Sequence, residues 1–274
     1  MAEAVRAGGH VVGYATTART DRWWLAPLLT VCGLGGFVVY ATWAALQGSH
    51  YYFDPYLSPF YSPVLFVDPS APGAAPIEHA WFGSWPGWWP SFLPASPALL
   101  ILIFPGAFRA TCYYYRKAYY RSFFGAPPGC AVGPLPLGRY RGETGLLIIQ
   151  NLHRYALYFA IAFIFILYYD AFLAFFRHGQ LGIGAGSVIL LINPTLLAGY
   201  TFGCHSWRHL VGGSLDCFSC DRAGALRHGA WKGSSALNAH HMAWAWVSLF
   251  WVAFSDVYVR LVSMGVLHDP STWG

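Results

Sequence analysis

The fold class predicted is an all-α, polytopic membrane helix bundle of about five transmembrane helices, on three observations. Charge is scarce, apolar residues gather into long runs, and basic residues collect on one side of those runs. Of 274 residues, 56% are hydrophobic and only 10% charged, against roughly 25% charged in a soluble domain. Such a chain has too little polar surface to coat a water-soluble globule, which excludes a soluble enzyme.

Five runs are long enough to cross a hydrocarbon core of about 30 Å: Trp24 to Leu46, Leu93 to Cys112, Tyr155 to Phe176, Gly184 to Cys204 and Ala243 to Val262. They make residues 1–274 a single transmembrane domain with an outer loop at 47–92 and cytoplasmic loops at 113–150 and 205–240. Met1 to Arg22 is polar and has no apolar core with a small-residue cleavage site, so the first span is expected to be retained. Between Tyr51 and Pro97, ten prolines and the string WFGSWPGWWPSF break up any helix, predicting a compact interfacial loop.

Orientation follows from the excess of Lys and Arg in cytoplasmic loops. Fourteen of the sixteen basic residues fall on one side, including Arg6, Arg19, Arg22, Arg139 and Arg141, and only Arg177 and Arg260 on the other. The N-terminus is therefore expected inside and the C-terminus outside, in a multi-pass membrane protein. The net charge of +5 describes a basic inner face suited to anionic lipid or an acidic partner, and nothing suggests nucleic acid.

The same topology brings metal-binding side chains to one depth. Cys112 ends the second span, His153 opens the third, Cys204, His205 and His209 end the fourth, and His240 and His241 open the fifth. One histidine at a helix end is ordinarily an interfacial hydrogen bonder; thiolates and imidazoles from four helices at one level suggest a metal centre. Two Cys with two His suit a Rieske-type 2Fe-2S cluster or structural zinc. Cys112, Cys204, Cys217 and Cys220 would suit an all-cysteine centre, and bis-histidine haem is a third possibility. Disulfides are not expected on a face that looks onto a reducing compartment.

The segments RATCYYYRKAYYRSFFGAPPGCAV, NLHRYALY, GCHSWRHLVGGSLDCFSC and NAHHMAWAWVSLF resemble the five-helix membrane-anchor subunit of actinobacterial, mycobacterial-type succinate dehydrogenases. The resemblance implies a complex with a flavoprotein and an iron–sulfur subunit, in which this chain passes electrons to a membrane quinone, menaquinone or ubiquinone, while succinate is oxidised in the partners. The branch it most resembles carries a membrane-embedded Rieske-type cluster in place of haem. An oligomeric complex is left open. On that footing the metal ligands are expected to be Cys112 and Cys204 on one iron and His153 and His240 on the other, with His205, His209, His241, Cys217 and Cys220 as substitutes. Asn238 or Ser206 would steady the imidazoles.

Trp207, Arg208, His209, Tyr119 and Tyr120 are the quinone candidates, although an aromatic belt explains the rings and lipid phosphate the arginine. The competing readings are a haem b-bearing cytochrome-type anchor and a non-redox scaffold or transporter with structural zinc. Asp256 and Arg260 are expected to form an i,i+4 ion pair, Asp170 and Arg177 to be interfacial anchors, and Cys32 to be a small packing residue.

Overall fold

The computed structural model describes residues 13–135 and 150–273, with the backbone of 6–7 and 10–11. Arg139 and Arg141 lie outside the described residues, as does the side chain of Arg6. The structure is mostly helical. The helices are α1 (Leu25–Gln47), α2 (Pro97–Ile101), α3 (Ile103–Ala110), α4 (Tyr113–Ala118), α5 (His153–Leu173), α6 (Ala185–Phe202), α7 (His205–Gly212), α8 (Arg222–Ala239) and α9 (His241–Ser263). Short antiparallel pairs join β1 (Arg6–Ala7) to β2 (His10–Val11), β3 (Tyr52–Phe53) to β4 (Tyr56–Leu57) and β5 (Phe176–Arg177) to β6 (Gln180–Leu181).

Among the described residues, four helices are long and apolar enough to cross a bilayer: α1, α5, α6 and α9. The run Leu93 to Cys112, expected as one span, is instead two short helices separated by a turn at Leu102. Pro105 explains the interruption. It lacks the N–H that a continuous helix would direct at the carbonyl of Ile101, and its ring crowds that carbonyl. The regular bonds on either side, Leu102 N–H to Ala98 O and Gly106 N–H to Leu102 O, survive.

The chain divides into two compact units. The first comprises Met1–Val39 and Ala107–His153. Here the segment around Thr16 runs beside Gly133, with bonds from Ala15 N–H to Gly133 O and from Gly133 N–H to Thr16 O. Thr17 Oγ1 donates to Ala131 O, Arg19 donates to Cys130 O and pairs with Asp21. Arg116, which is buried, donates to Gln150 Oε1 at 2.9 Å.

The second unit comprises Tyr40–Gly106 and Arg154–Gly274. Its core joins Tyr56, Ala171, Ala174, Leu190 and Val259, drawn from the Pro-rich segment, the end of α5, α6 and α9. Gly199 lets α6 approach α9, because a Cβ there would stand 2.7 Å from the Trp244 ring. Trp251 Nε1 donates to Ile189 O across the same pair. The segment from Tyr51 to Pro97 folds into a compact cap as expected, with Tyr51 stacked on Tyr61 at 4.2 Å and Phe60, Val64 and Val67 buried. Its string of tryptophans leaves Trp81, Phe82, Trp88 and Phe92 exposed.

Buried acids of this unit are held by donors. Asp256 accepts from Tyr40 and Ser58 and pairs with Arg260 at 3.4 Å, the expected i,i+4 pair. Arg260 also donates to Ser49 O and lies over the Trp43 ring. Asp269 accepts from Tyr56, Tyr258 and Gly186 N–H. Asp170 accepts from Ser62 and Arg177 approaches Asp54, so those two are bound into the protein beyond the anchoring expected of them. Cys32 is exposed. Among the described residues of α1 only Ala44 and Ala45 are buried, so a packing role for Cys32 is corrected: its side of α1 is a surface.

Candidate functional site

Two cysteines hold equivalent places in the backbone. Cys112 is the N-cap of α4, with φ −68° and ψ 135°. Cys204 is the N-cap of α7, with φ −70° and ψ 143°. Each steps out of helical geometry for one residue while its carbonyl accepts the first bond of the next helix, from Arg116 N–H at 2.9 Å and from Arg208 N–H at 3.0 Å. Neither is in a disulfide, and both are buried, at 2% and 3% exposure. Ser206 N–H points at Cys204 Sγ, 3.4 Å away, the kind of contact that stabilises a thiolate ligand.

The histidines likewise stand where helices begin. His153 is the first residue of α5 and 8% exposed. Its ring stacks on Phe108 with centroids 4.4 Å apart and planes 7° from parallel, and its Nδ1 lies 3.0 Å from Thr111 Oγ1. His240 and His241 straddle the junction of α8 and α9. His240 leaves the helix at φ −114° and ψ 22° and is exposed. His241 starts α9, is 3% exposed and stacks on Tyr200 at 4.9 Å. Neighbouring helical positions differ by about 100°, and of the pair the structure buries His241 and leaves His240 exposed.

The substitutes are distributed differently. His205 and His209 are exposed on α7, their rings 6.5 Å apart. Cys217 and Cys220 form a disulfide, against the expectation of free thiols on this loop. Their Cα atoms are 5.7 Å apart, within the span a disulfide bridges, so in this state neither sulfur is an open ligand. Asn238 holds Gly203 O at 2.7 Å and accepts from Arg208; it fixes the break before Cys204, a backbone role in place of the imidazole partner expected.

The quinone candidates fall in both units. In the first, Tyr119 and Tyr120 lie in a π-helical turn, Tyr119–Phe123, and the Tyr119 hydroxyl donates to Ala110 O. In the second, Trp207 packs edge-on against Phe202, and Arg208 lies over the Trp231 ring at 5.3 Å. His209 is exposed.

Each unit thus carries one buried thiol and one buried imidazole: Cys112 with His153, and Cys204 with His241. Among the described residues, no group of three or more His, Cys, Asp or Glu side chains is drawn together as a metal site. In chemical kind, a buried thiol and a buried imidazole are donors that either an iron–sulfur centre or zinc accepts. Sequence reading missed Thr111, Phe108 and Tyr200, the side chains that orient the two rings. The one available signal was a threonine next to Cys112.

Residues 25–265 match the family model described as actinobacterial succinate dehydrogenase subunit SdhC. Among solved structures, a chain of the Mycobacterium smegmatis Sdh1 complex in the apo form is similar, at 43% identity over 98% of each chain and a TM-score of 0.82. No curated protein matches. The family model covers most of the chain and the solved structure shares its fold throughout, so the chain belongs to the actinobacterial SdhC family, and is a multi-pass inner-membrane subunit of a succinate dehydrogenase.

Proposed function

We propose that this chain anchors the flavoprotein and iron–sulfur subunits of a succinate:quinone oxidoreductase and carries electrons from the iron–sulfur subunit, through a Rieske-type 2Fe-2S cluster, to a membrane quinone. The observation that carries this reading is the set of two buried cysteines outside any disulfide and two buried histidines at four helix junctions. Cys112 and Cys204 would supply the thiolates, His153 and His241 the imidazoles. When bound, such a cluster accepts and passes on single electrons at a potential raised by its imidazole ligands. The chain's own part is to hold the donors: helix N-caps present the sulfurs, Phe108 and Tyr200 fix the ring planes, and burial keeps water from the site. Arg208, Trp207 and Tyr119 are proposed for the quinone head group, which needs hydrogen-bond donors beside a flat apolar wall.

The reading includes five crossings, with the N-terminus inside and the C-terminus outside. The broken segment containing α2 and α3 is the second crossing in this scheme. Without it, Arg109, Arg116, Lys117 and Arg121 would lie on the opposite side from Arg19 and Arg22, against the rule that cytoplasmic loops gather basic residues.

The test is electron paramagnetic resonance and absorption of the purified complex. A reduced-state signal of mixed His/Cys type, lost in His153→Ala and His241→Ala, is expected. A Soret band would replace this reading with a haem anchor, and a colourless membrane domain binding zinc would replace it with a structural site.

A further inference from the structure

We infer that a cavity between Arg177 and Asp54 binds the headgroup of a zwitterionic phospholipid, one that carries a phosphate and a primary ammonium. The cavity lies in the second unit, where the cap, the β5–β6 hairpin and the tail after α9 meet, and has a volume of about 150 Å³. Its walls include Phe53, Asp54, Arg177, His268, Asp269 and Trp273. Arg177 Nε and Asp54 Oδ2 stand 3.7 Å apart, too far for a hydrogen bond. Both atoms are shielded from solvent, and neither has a hydrogen-bond partner among the described residues. The other carboxylate, Asp269, has both oxygens occupied, by Tyr56, Tyr258 and Gly186 N–H. An ion pair left open in this way suits a ligand that bears the same two charges: an ammonium donating to Asp54 Oδ2 and a phosphate oxygen accepting from Arg177 Nε. A shielded charged atom without a hydrogen bond is costly, and such a ligand satisfies both at once.

Charge favours a zwitterion over an anion, because two carboxylates face one guanidinium in the wall and repel a ligand that is only negative. Position favours a lipid over a soluble molecule. Arg177 follows the end of α5 at Leu173, a helix long and apolar enough to cross the bilayer, so it stands at headgroup depth. The cap, the hairpin and the tail after α9 contain no other Lys or Arg, and Arg260 is committed to Asp256 and Ser49 O. A lipid phosphate on this face therefore has one cation to meet. Leu181 and Ile183 beside the hairpin and Val266 before His268 are exposed, an apolar rim for the acyl region. The Arg177 guanidinium lies 5.6 Å over the Phe53 ring, which holds it at the cavity. A choline headgroup has no N–H to give Asp54, and a glycerol headgroup has no cation.

The experiment uses the intact purified complex, delipidated in detergent, with native mass spectrometry to count bound lipid and subunit stoichiometry as the control for assembly. Phosphatidylethanolamine, phosphatidylcholine and phosphatidylglycerol with identical acyl chains are added in turn, and soluble phosphoethanolamine tests the headgroup alone. The ethanolamine lipid is expected to bind about tenfold more tightly than the other two, the worth of one charge-assisted hydrogen bond. Asp54→Asn and Arg177→Gln should each remove that preference, and Arg177→Lys, which keeps the charge, should retain part of it. Equal binding of the three lipids by the wild-type complex overturns the proposal without any variant, and leaves Asp54 and Arg177 an ordinary surface ion pair. An ethanolamine preference that survives in both Asp54→Asn and Arg177→Gln overturns it as well, by placing the lipid elsewhere. Phosphoethanolamine displacing the lipid at equal concentration would overturn the lipid assignment in favour of a soluble ligand.

Discussion

The two ends of α9 carry buried polar groups of different kinds. Near its C-terminus, Asp256 and Arg260 are 0% and 4% exposed and are knitted to Tyr40, Ser58, Ser49 and the Trp43 ring. At its N-terminus His241 meets the face of Tyr200, at a junction where one helix has ended and another begins. A charged pair within an apolar span is tolerated where each charge meets its complement inside the protein. The first arrangement is a network of complementary charges and hydrogen bonds, which stabilises a structure. The second places an imidazole at an interruption of the backbone. The difference teaches that burial of a polar residue in this chain does not by itself indicate chemistry.

The largest effect should come from breaking the network. Asp256→Ala leaves the buried Arg260 guanidinium without its carboxylate, and loss of one partner of a buried pair costs about 3 to 5 kcal/mol. The expected outcome is a subunit that accumulates poorly and melts well below wild type in detergent. Replacing both, as Asp256→Leu with Arg260→Met, should recover part of the loss, because two apolar side chains leave no uncompensated charge. Equal instability of the single and double variants would show that the pair is not what the helix end depends on.

Next in size is the contrast at the other end of α9. His241→Ala should remove the cluster signal from the purified complex and His240→Ala should keep it, since only the first ring is buried. The reverse result would return the ligand role to His240 and mean that the junction rearranges when the complex is assembled.

How much of this was legible in the sequence depends on whether the cause was local. Runs of apolar residues mark α1, α5, α6 and α9 because span length is a property of a contiguous stretch. That Cys112, His153 and Cys204 stand at helix ends could be read for the same reason. The interruption at Leu102 was in principle readable from Pro105, but the apolar content of the run outweighed it. That His241 is buried and His240 exposed was not readable, since it depends on the phase with which α8 ends and α9 restarts. Nor was the Asp256 network beyond its i,i+4 pair, because Tyr40 and Ser58 reach it from distant parts of the chain. The pairing of Cys217 with Cys220 was misjudged by arguing from compartment, when their separation alone permitted it.

A smaller effect concerns the cap. Burial pushes the Tyr51 phenol up to about 12, above the ordinary value of about 10. A group whose pKa is raised by folding holds its contribution below the unfolded value and loses it as pH climbs through the folded one. The cap should therefore be insensitive to pH up to about 10 and weaken between about 10 and 12. Tyr52 and Tyr56 are raised as well and remain in both proteins, so the phenolate absorbance of wild type minus that of Tyr51→Phe should contain a single late-titrating tyrosine. Its appearance near the ordinary value would mean that the stack on Tyr61 is open to solvent.

The smallest effect is expected from Cys217→Ser with Cys220→Ser. The pair lies in the loop between α7 and α8, where Phe218 rests on His228 at 4.4 Å and Arg227 donates to Val211 O and Gly213 O. These contacts tie the loop without the disulfide, and sulfurs bonded to each other offer no thiolate to a metal. The double variant should leave the cluster signal at wild-type intensity, with at most a slight loss of thermal stability. Loss of the signal would instead make Cys217 and Cys220 ligands, with the disulfide the form they take when the metal is away. The comparison between the ends of α9 would then have to widen to include this loop.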